Sequence, residues 1–172
     1  MKKKNAIKTR RYESPCGTLL LGSFGDKLCL CDWQIEKHRG HVDRRMKRIL
    51  NAEFEEGTSE VIEQAVRQLD EFFAGKRKVF DMPLLFVGTD FQKKVWRELL
   101  NIPFGETISY KEMARRIGLP TAVRAVANAN GANSVSIFAP CHRVIGSDNS
   151  LTGYGGGLTA KEKLLKLEGF LY

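Results

Sequence analysis

Gly25-Asp26 stands alone between two extended, apolar-rich runs, 17–24 and 27–34, and a two-residue link of this kind reads as the turn of a β-hairpin. A third run of the same character, 6–13, precedes it, so the chain opens with a small antiparallel sheet. Such a sheet must bury one face against another layer. A helix to do so follows: Ser59 is placed to cap it, Ile62, Val66, Leu69 and Phe73 recur at helical spacing, and Gly75 stops it. Residues 79–86, which include Pro83, read as an edge strand or an extended linker.

Beyond Gly88 the pattern turns helical. Three starts carry the capping-box arrangement, a hydroxyl followed three residues later by Gln or Glu, at 89–92, 109–112 and 159–162. Phe91, Val95 and Leu99 share one helix face before Pro103; Met113, Ala114 and Ile117 form a second stripe, ended by Gly118. Leu119-Pro120 then leads into a helix over 121–130, with Pro120 suited to its first turn. Two short helices joined by a tight turn with Gly outline a helix-turn-helix, and equally a helical hairpin packed in a core. The second helix carries small side chains around Arg124, which lets another surface approach its backbone closely. The fold expected is α/β of the α+β kind, divided into 1–87, a small sheet domain with its linker, and a helical 88–172.

The net charge of +8 makes a polyanion the first partner to consider, although it divides evenly between those halves and favours neither. The longest apolar runs, 19–21 and 83–87, are far shorter than the roughly 20 residues of a membrane span. No apolar stretch of signal-peptide length follows Lys2-Lys3-Lys4, so a cytoplasmic chain with reduced Cys16, Cys29, Cys31 and Cys141 is expected. Cys29 and Cys31 fall on one face of their strand, with His38 and His41 some ten residues on, but this spacing matches no zinc motif and no metal is assigned. The basic run 37–48, broken only by Asp43 among acids, reads as a solvated face, with phosphate contact as the alternative.

Pro140-Cys141-His142-Arg143-Val144 carries the chemistry. A thiol becomes a strong nucleophile as thiolate, and a histidine or cation beside it lowers its pKa. The other reading is an inert cysteine ending a buried strand. Neighbours on a strand point to opposite faces, so coupling Cys141 to His142 requires a turn at Pro140 or a bridging water.

Taken in order, Phe91-Gln92 to Trp96, Ile102-Pro103-Phe104-Gly105-Glu106-Thr107, Ser109-Tyr110, Ala122-Val123-Arg124-Ala125-Val126, Asn133, the Cys141 motif and Gly153-Tyr154-Gly155-Gly156-Gly157 resemble the O6-alkylguanine-DNA alkyltransferases, the methylated-DNA–protein-cysteine methyltransferase family. The resemblance spans 88–169. It implies a ribonuclease-H-like first domain and a helix-turn-helix in the second. It also implies irreversible, single-event transfer of an alkyl group from O6-alkylguanine or O4-alkylthymine in double-stranded DNA to Cys141.

By that resemblance His142 takes the thiol proton through a water, Glu168 orients the imidazole, and Tyr110 donates to the leaving base. Arg124 fills the gap left by a flipped base while its helix enters the minor groove, and Ser109, Thr121 and Ala125 also meet DNA. Val144, Tyr154 and Gly155 hold the base, and Asn133 braces the turn. Neither a cofactor nor an obligate protein partner is implied, and the chain is expected to act as a monomer. Ala139 and Gly155 depart from commoner family residues and bear on the alkyl pocket; no four-cysteine domain of the adaptive-response relatives is present. Two other readings remain open: a lesion-sensing or helix-turn-helix regulator with a structural Cys141, and a multiple-turnover cysteine hydrolase.

Overall fold

A computed structural model describes residues 5–148, 150, 151 and 153–170, with the side chains of 36–38 excepted. The N-terminal lysines and the His38 side chain thus lie outside the described residues. Strands β1 (Asn5–Ser14), β2 (Gly17–Phe24) and β3 (Lys27–Trp33) form the expected antiparallel meander, with the hairpin turn at Gly25-Asp26. Two elements escaped the sequence reading. Helix α1 (Glu36–Leu50) crosses over to β4 (Ala52–Glu56), which pairs with β1 in parallel and completes a sheet of order β3-β2-β1-β4. The sheet is therefore mixed and not purely antiparallel. Ala-Glu-Phe-Glu-Glu hides β4 because it is an edge strand turned largely to water, and the charges of α1 mask a narrow buried stripe of Val42 and Met46.

α1 covers one sheet face, and α2 (Glu60–Phe73), capped by Ser59 as expected, covers the other. A β-bulge where Gly22-Ser23 faces Leu28–Leu30 breaks the alternation of β3. Its consequence is that Cys29 packs with Ile7, Val42 and Met46, while Cys31 packs with Leu19, Leu21 and the α2 residues. The two cysteines do not share a face.

The free edge of β3 is covered twice. Leu28 pairs with the 83–85 segment, its N–H donating to Pro83 O at 2.8 Å and its carbonyl accepting from Leu85 N at 2.9 Å. Cys31 pairs likewise with Ser134 O and Ser136 N, both at 2.8 Å. Residues 79–86 are thus mostly linker with one ladder contact, and the second half of the chain is laced to the sheet by its backbone. Val135, Ile137, Phe138, Ala160 and Leu164 share one apolar cluster with β2, β3 and α2.

In that second half, α3 (Asp90–Leu99) begins with the complete Thr89–Gln92 capping box. α4 (Tyr110–Arg116) follows the short strand β5 (Ile108–Ser109), and α5 (Val123–Gly131) packs on α3 and α4, with Trp96 Nε1 donating to Ala129 O at 2.8 Å. A 3-10 turn (Cys141–Arg143), β6 (Val144–Ile145) parallel to β5, and α6 (Leu158–Leu167) complete the fold.

Three helix starts differ from expectation. Ser109 accepts from Glu112 N at 2.9 Å, but the Glu112 carboxylate turns to Arg115 and Arg116, so only half the box forms. α5 begins at Val123 and not at 121, because 119–122 closes a turn, Ala122 N to Leu119 O at 2.9 Å, with Pro120 at its favoured second position. α6 begins at Leu158 behind Gly157, whose φ of +87 no side chain adopts readily; Thr159 lies inside the helix and caps nothing.

Among the described residues no helix is long and apolar enough to cross a membrane. Leu164 is fully buried where α6 meets the sheet layer. Leu164→Ala is expected to cost about 2–5 kcal/mol in denaturant unfolding. The transition should remain single, since the halves share this cluster.

Candidate active site

Cys141 is aimed by two consecutive tight turns. Phe138 N donates to Ser136 O at 2.9 Å across Ile137, whose φ of +76 makes this the rare, strained γ-turn; a β-branched residue pays for that conformation. Cys141 N then donates to Ala139 O at 2.8 Å across Pro140, at φ −81 and ψ 67, an inverse γ-turn well suited to proline. Asn133 clamps both ends of the segment: Nδ2 donates to Ala139 O at 2.9 Å and Oδ1 accepts from Val135 N at 3.0 Å. Asn130 Nδ2 holds the Cys141 carbonyl at 3.2 Å. Because Cys141 and His142 sit on a 3-10 turn, the opposite-face rule of strands does not separate them.

The thiol is 3% exposed, and burial pushes its pKa up. Hydrogen bonding from Asn133 and Ser136, whose Oγ lies 3.9 Å from Sγ, and the positive charge of Lys161 act in the other direction, while Asp32 adds to the rise. Burial lowers the pKa of His142, which Glu168 partly offsets. His142 Nε2 lies 2.7 Å from Glu168 Oε2, so the neutral ring assigned from this partner donates through Nε2 and keeps Nδ1 as acceptor. That Nδ1 is buried and has no hydrogen-bond partner among the described residues.

Glu168, at the C-cap of α6 before Gly169, gathers donors from three directions. Besides His142 it accepts from Arg143 Nε at 2.8 Å, Arg143 Nη2 at 2.9 Å and Gly105 N at 3.4 Å. Burial alone would raise its pKa; the hydrogen bonds from His142 and Arg143 and the charges behind them hold it down at about 2. Arg143 also donates from Nη1 to Ile102 O at 2.6 Å. Lys161 is fully buried, donates to Val144 O at 2.6 Å and lies 5.8 Å over the Tyr110 ring; burial brings its pKa down to about 8.

Above this lies a groove of about 910 Å³. Tyr110, Val123, Arg124, Ala127, Asn128 and Gly131 form one wall, Gly153, Tyr154 and Gly155 another, and Ile35 and His41 the rim. Tyr110 belongs to the apolar cluster of Cys141 and Val144, with Tyr154 packed against it, so the groove lining and the thiol's surroundings are continuous. The Tyr110 hydroxyl donates to Gly153 O at 3.5 Å. Tyr154 meets Trp33 edge-on at 5.9 Å, and a Cβ on Gly156 would lie 2.6 Å from that indole, so β3 supports the loop from beneath.

Of the residues singled out in the sequence, His142 and Glu168 are hydrogen-bonded to each other, Cys141 adjoins them on the same 3-10 turn as His142, Asn133 braces that turn, and Tyr110, Arg124, Tyr154 and Gly155 line the groove. Thr121 and Ala125 are exposed outside that lining, Ser109 caps α4, and Val144 lends its carbonyl to Lys161. Sequence reasoning took Arg143 as a cation beside the thiol and not as a partner of Glu168, and it missed Lys161, Ser136 and Asn130. Lys161 had a readable signal: it falls on the buried stripe of α6 with Leu164 and Leu165, where an apolar residue is the rule.

Comparison with known proteins gives the family. Family models of 6-O-methylguanine DNA methyltransferase match in two parts, the ribonuclease-like domain over residues 7–86 and the DNA binding domain over 90–170. A methylated-DNA–protein-cysteine methyltransferase of Methanosarcina barkeri is 48% identical over 91% of this chain and 93% of its own. The constitutive enzyme of Bacillus subtilis is 42% identical over 93% of this chain and 94% of its own. The crystal structure of Mycobacterium tuberculosis O6-methylguanine methyltransferase superposes with a TM-score of 0.78 at 44% identity, covering 94% of this chain and 92% of that one. A buried thiol beside a paired histidine and carboxylate, near a groove lined by Arg124, together with the matched DNA binding domain, defines the class as DNA-binding methyltransferases. The chain belongs to the methylated-DNA–protein-cysteine methyltransferase family.

Two outcomes are expected. The stability Glu168 contributes is complete above the ordinary carboxylate value of about 4.3 and is lost as pH falls toward about 2. Glu168→Gln should flatten that part of the pH–stability curve in thermal melts. Lys161→Met removes a positive charge that favours the thiolate, so the pH profile of Cys141 alkylation by iodoacetamide should move to higher pH.

Proposed function

We propose that this enzyme repairs double-stranded DNA by direct reversal, taking the alkyl group of O6-alkylguanine, and of O4-alkylthymine, onto Cys141. The observation that carries this reading is the His142–Glu168 pair, with the partnerless His142 Nδ1, next to a buried cysteine packed with Tyr110 and Tyr154, which line a groove that Arg124 flanks. The Cys141 proton passes through a water to His142 Nδ1, and Glu168 stabilises the resulting imidazolium. The thiolate attacks the alkyl carbon; a carbon–sulfur bond forms as the carbon–oxygen bond breaks, and its electron pair stays with the base. Tyr110 donates to the base and neutralises the developing charge. The thioether formed is a poor leaving group, so each molecule reacts once and no cofactor enters.

A thiol this deep requires the base to leave the stack. Arg124 fills the gap from the minor groove, where the small residues of α5 fit, and Ser109, Thr121 and Ala125 meet the backbone. Tyr154, Gly155 and Val144 receive the base; the Val144 carbonyl, already accepting from Lys161, has a second lone pair for this. We assign the work to a monomer in the cytoplasm, without an obligate protein partner, and divide the chain into a ribonuclease-H-like 1–87 and an acting 88–172.

Incubation with a duplex containing O6-methylguanine should add one methyl group to the intact mass, located on Cys141, and stop after one equivalent. An unchanged mass, a methyl elsewhere, or continued turnover would refute the reading. Cys141→Ala should still bind the duplex and transfer nothing, whereas a lesion sensor would keep its whole activity.

A further inference from the structure

We infer that α1 is a second DNA-contacting element, whose outward stripe of His41, Arg44 and Arg48 binds backbone phosphates of the duplex held by α5. This rests on the reading of the groove as the lesion site. At the helical repeat, residues 41, 44, 45 and 48 fall on one face, away from Arg39, Val42 and Met46, which are buried against the sheet. His41, Arg44 and Arg48 are exposed. The described acids near the stripe are already paired: Arg39 bridges the buried Asp32 and the half-buried Asp43. Lys47 is committed to Glu53 and to the Phe54 ring. Among the described residues neither Arg44 nor Arg48 has a carboxylate partner; Arg44 touches only the His41 ring, at 3.2 Å, as a side-chain hydrogen-bond partner.

Location makes this more than a solvated charge run. His41 lines both the shallow hollow over Arg44, Arg45, Lys47 and Arg48 and the lesion groove that holds Arg124 and Tyr110. The positive stripe therefore continues directly out of the groove. Its position relative to α5 is fixed by Arg45, the inward member of the set. Arg45 Nε donates to Val87 O at 3.0 Å, Nη2 donates to Ala132 O just past the end of α5 at 2.8 Å, and the guanidinium stacks over Trp96 at 5.3 Å. One arginine thus ties α1 to the linker, to α3 and to the groove helix, so a duplex lying along α5 meets a rigid row of cations. Arg44 and Arg48 lie one helical turn apart, about 6 Å along the axis, and present two separate phosphate contacts.

The test is the salt dependence of binding, measured with Cys141→Ala protein and an O6-methylguanine duplex so that no transfer intervenes. Each phosphate contact contributes about 0.9 to the slope of log K against log salt. The combined Arg44→Gln and Arg48→Gln variant should lose roughly 1.8 of that slope, with an unchanged melting temperature, and the Arg44→Lys, Arg48→Lys pair should restore it. An unchanged slope in the Gln variant, while Arg124→Ala still weakens binding, would overturn the role of α1 and leave the repair reading intact. No binding of the duplex by the unaltered stripe and groove would overturn both.

Discussion

The Glu168 carboxylate is the point on which the rest of the site hangs. One acidic group at the end of α6 accepts from His142, from two nitrogens of Arg143 and from the backbone of Gly105. Buried charge is costly unless it is paired and hydrogen-bonded, and here it is both. The arrangement fixes the imidazole tautomer, holds the turn after Cys141 against the 102–105 loop, and brings α6 close enough for Lys161 to reach Val144. Base, nucleophile and flanking cation are therefore set by a single network.

That network is supported from the sheet. β3 donates its edge to the 134–136 segment on one side of the bulge and to 83–85 on the other, and Trp33 underlies the 154–156 loop. The strained γ-turn at Ile137 is held in place by this ladder and by the Asn133 clamp. Strain of this kind persists where its surroundings over-determine it. The first half of the chain acts as the anvil on which the reactive turn is bent.

What was legible in the sequence follows from range. Gly25-Asp26, Ser59 and the Thr89–Gln92 box are local devices, and each acts where its residues predict. The Cys141 motif with Glu168 and Asn133 was legible through an ordered resemblance, and the geometry brings those three together. β4 was hidden because an edge strand carries little buried pattern, and α1 because its charges outnumber its buried positions. The start of α5 was displaced because Pro120 sits in a turn and not in the first helical turn, and that of α6 because a positive φ at Gly157 prevailed over capping by Thr159. Arg143 and Lys161 gain their meaning only when distant segments meet, which no local pattern records.

Chain order carries a consequence of its own. Cys141 is synthesised before both Lys161 and Glu168, and the two groups that charge and orient its surroundings arrive with α6. Until that helix docks, His142 has no carboxylate and the thiol has no lysine beside it, so the nascent polypeptide carries an ordinary cysteine. The site is thus complete only once residues 158–168 have packed on the turn that holds the thiol.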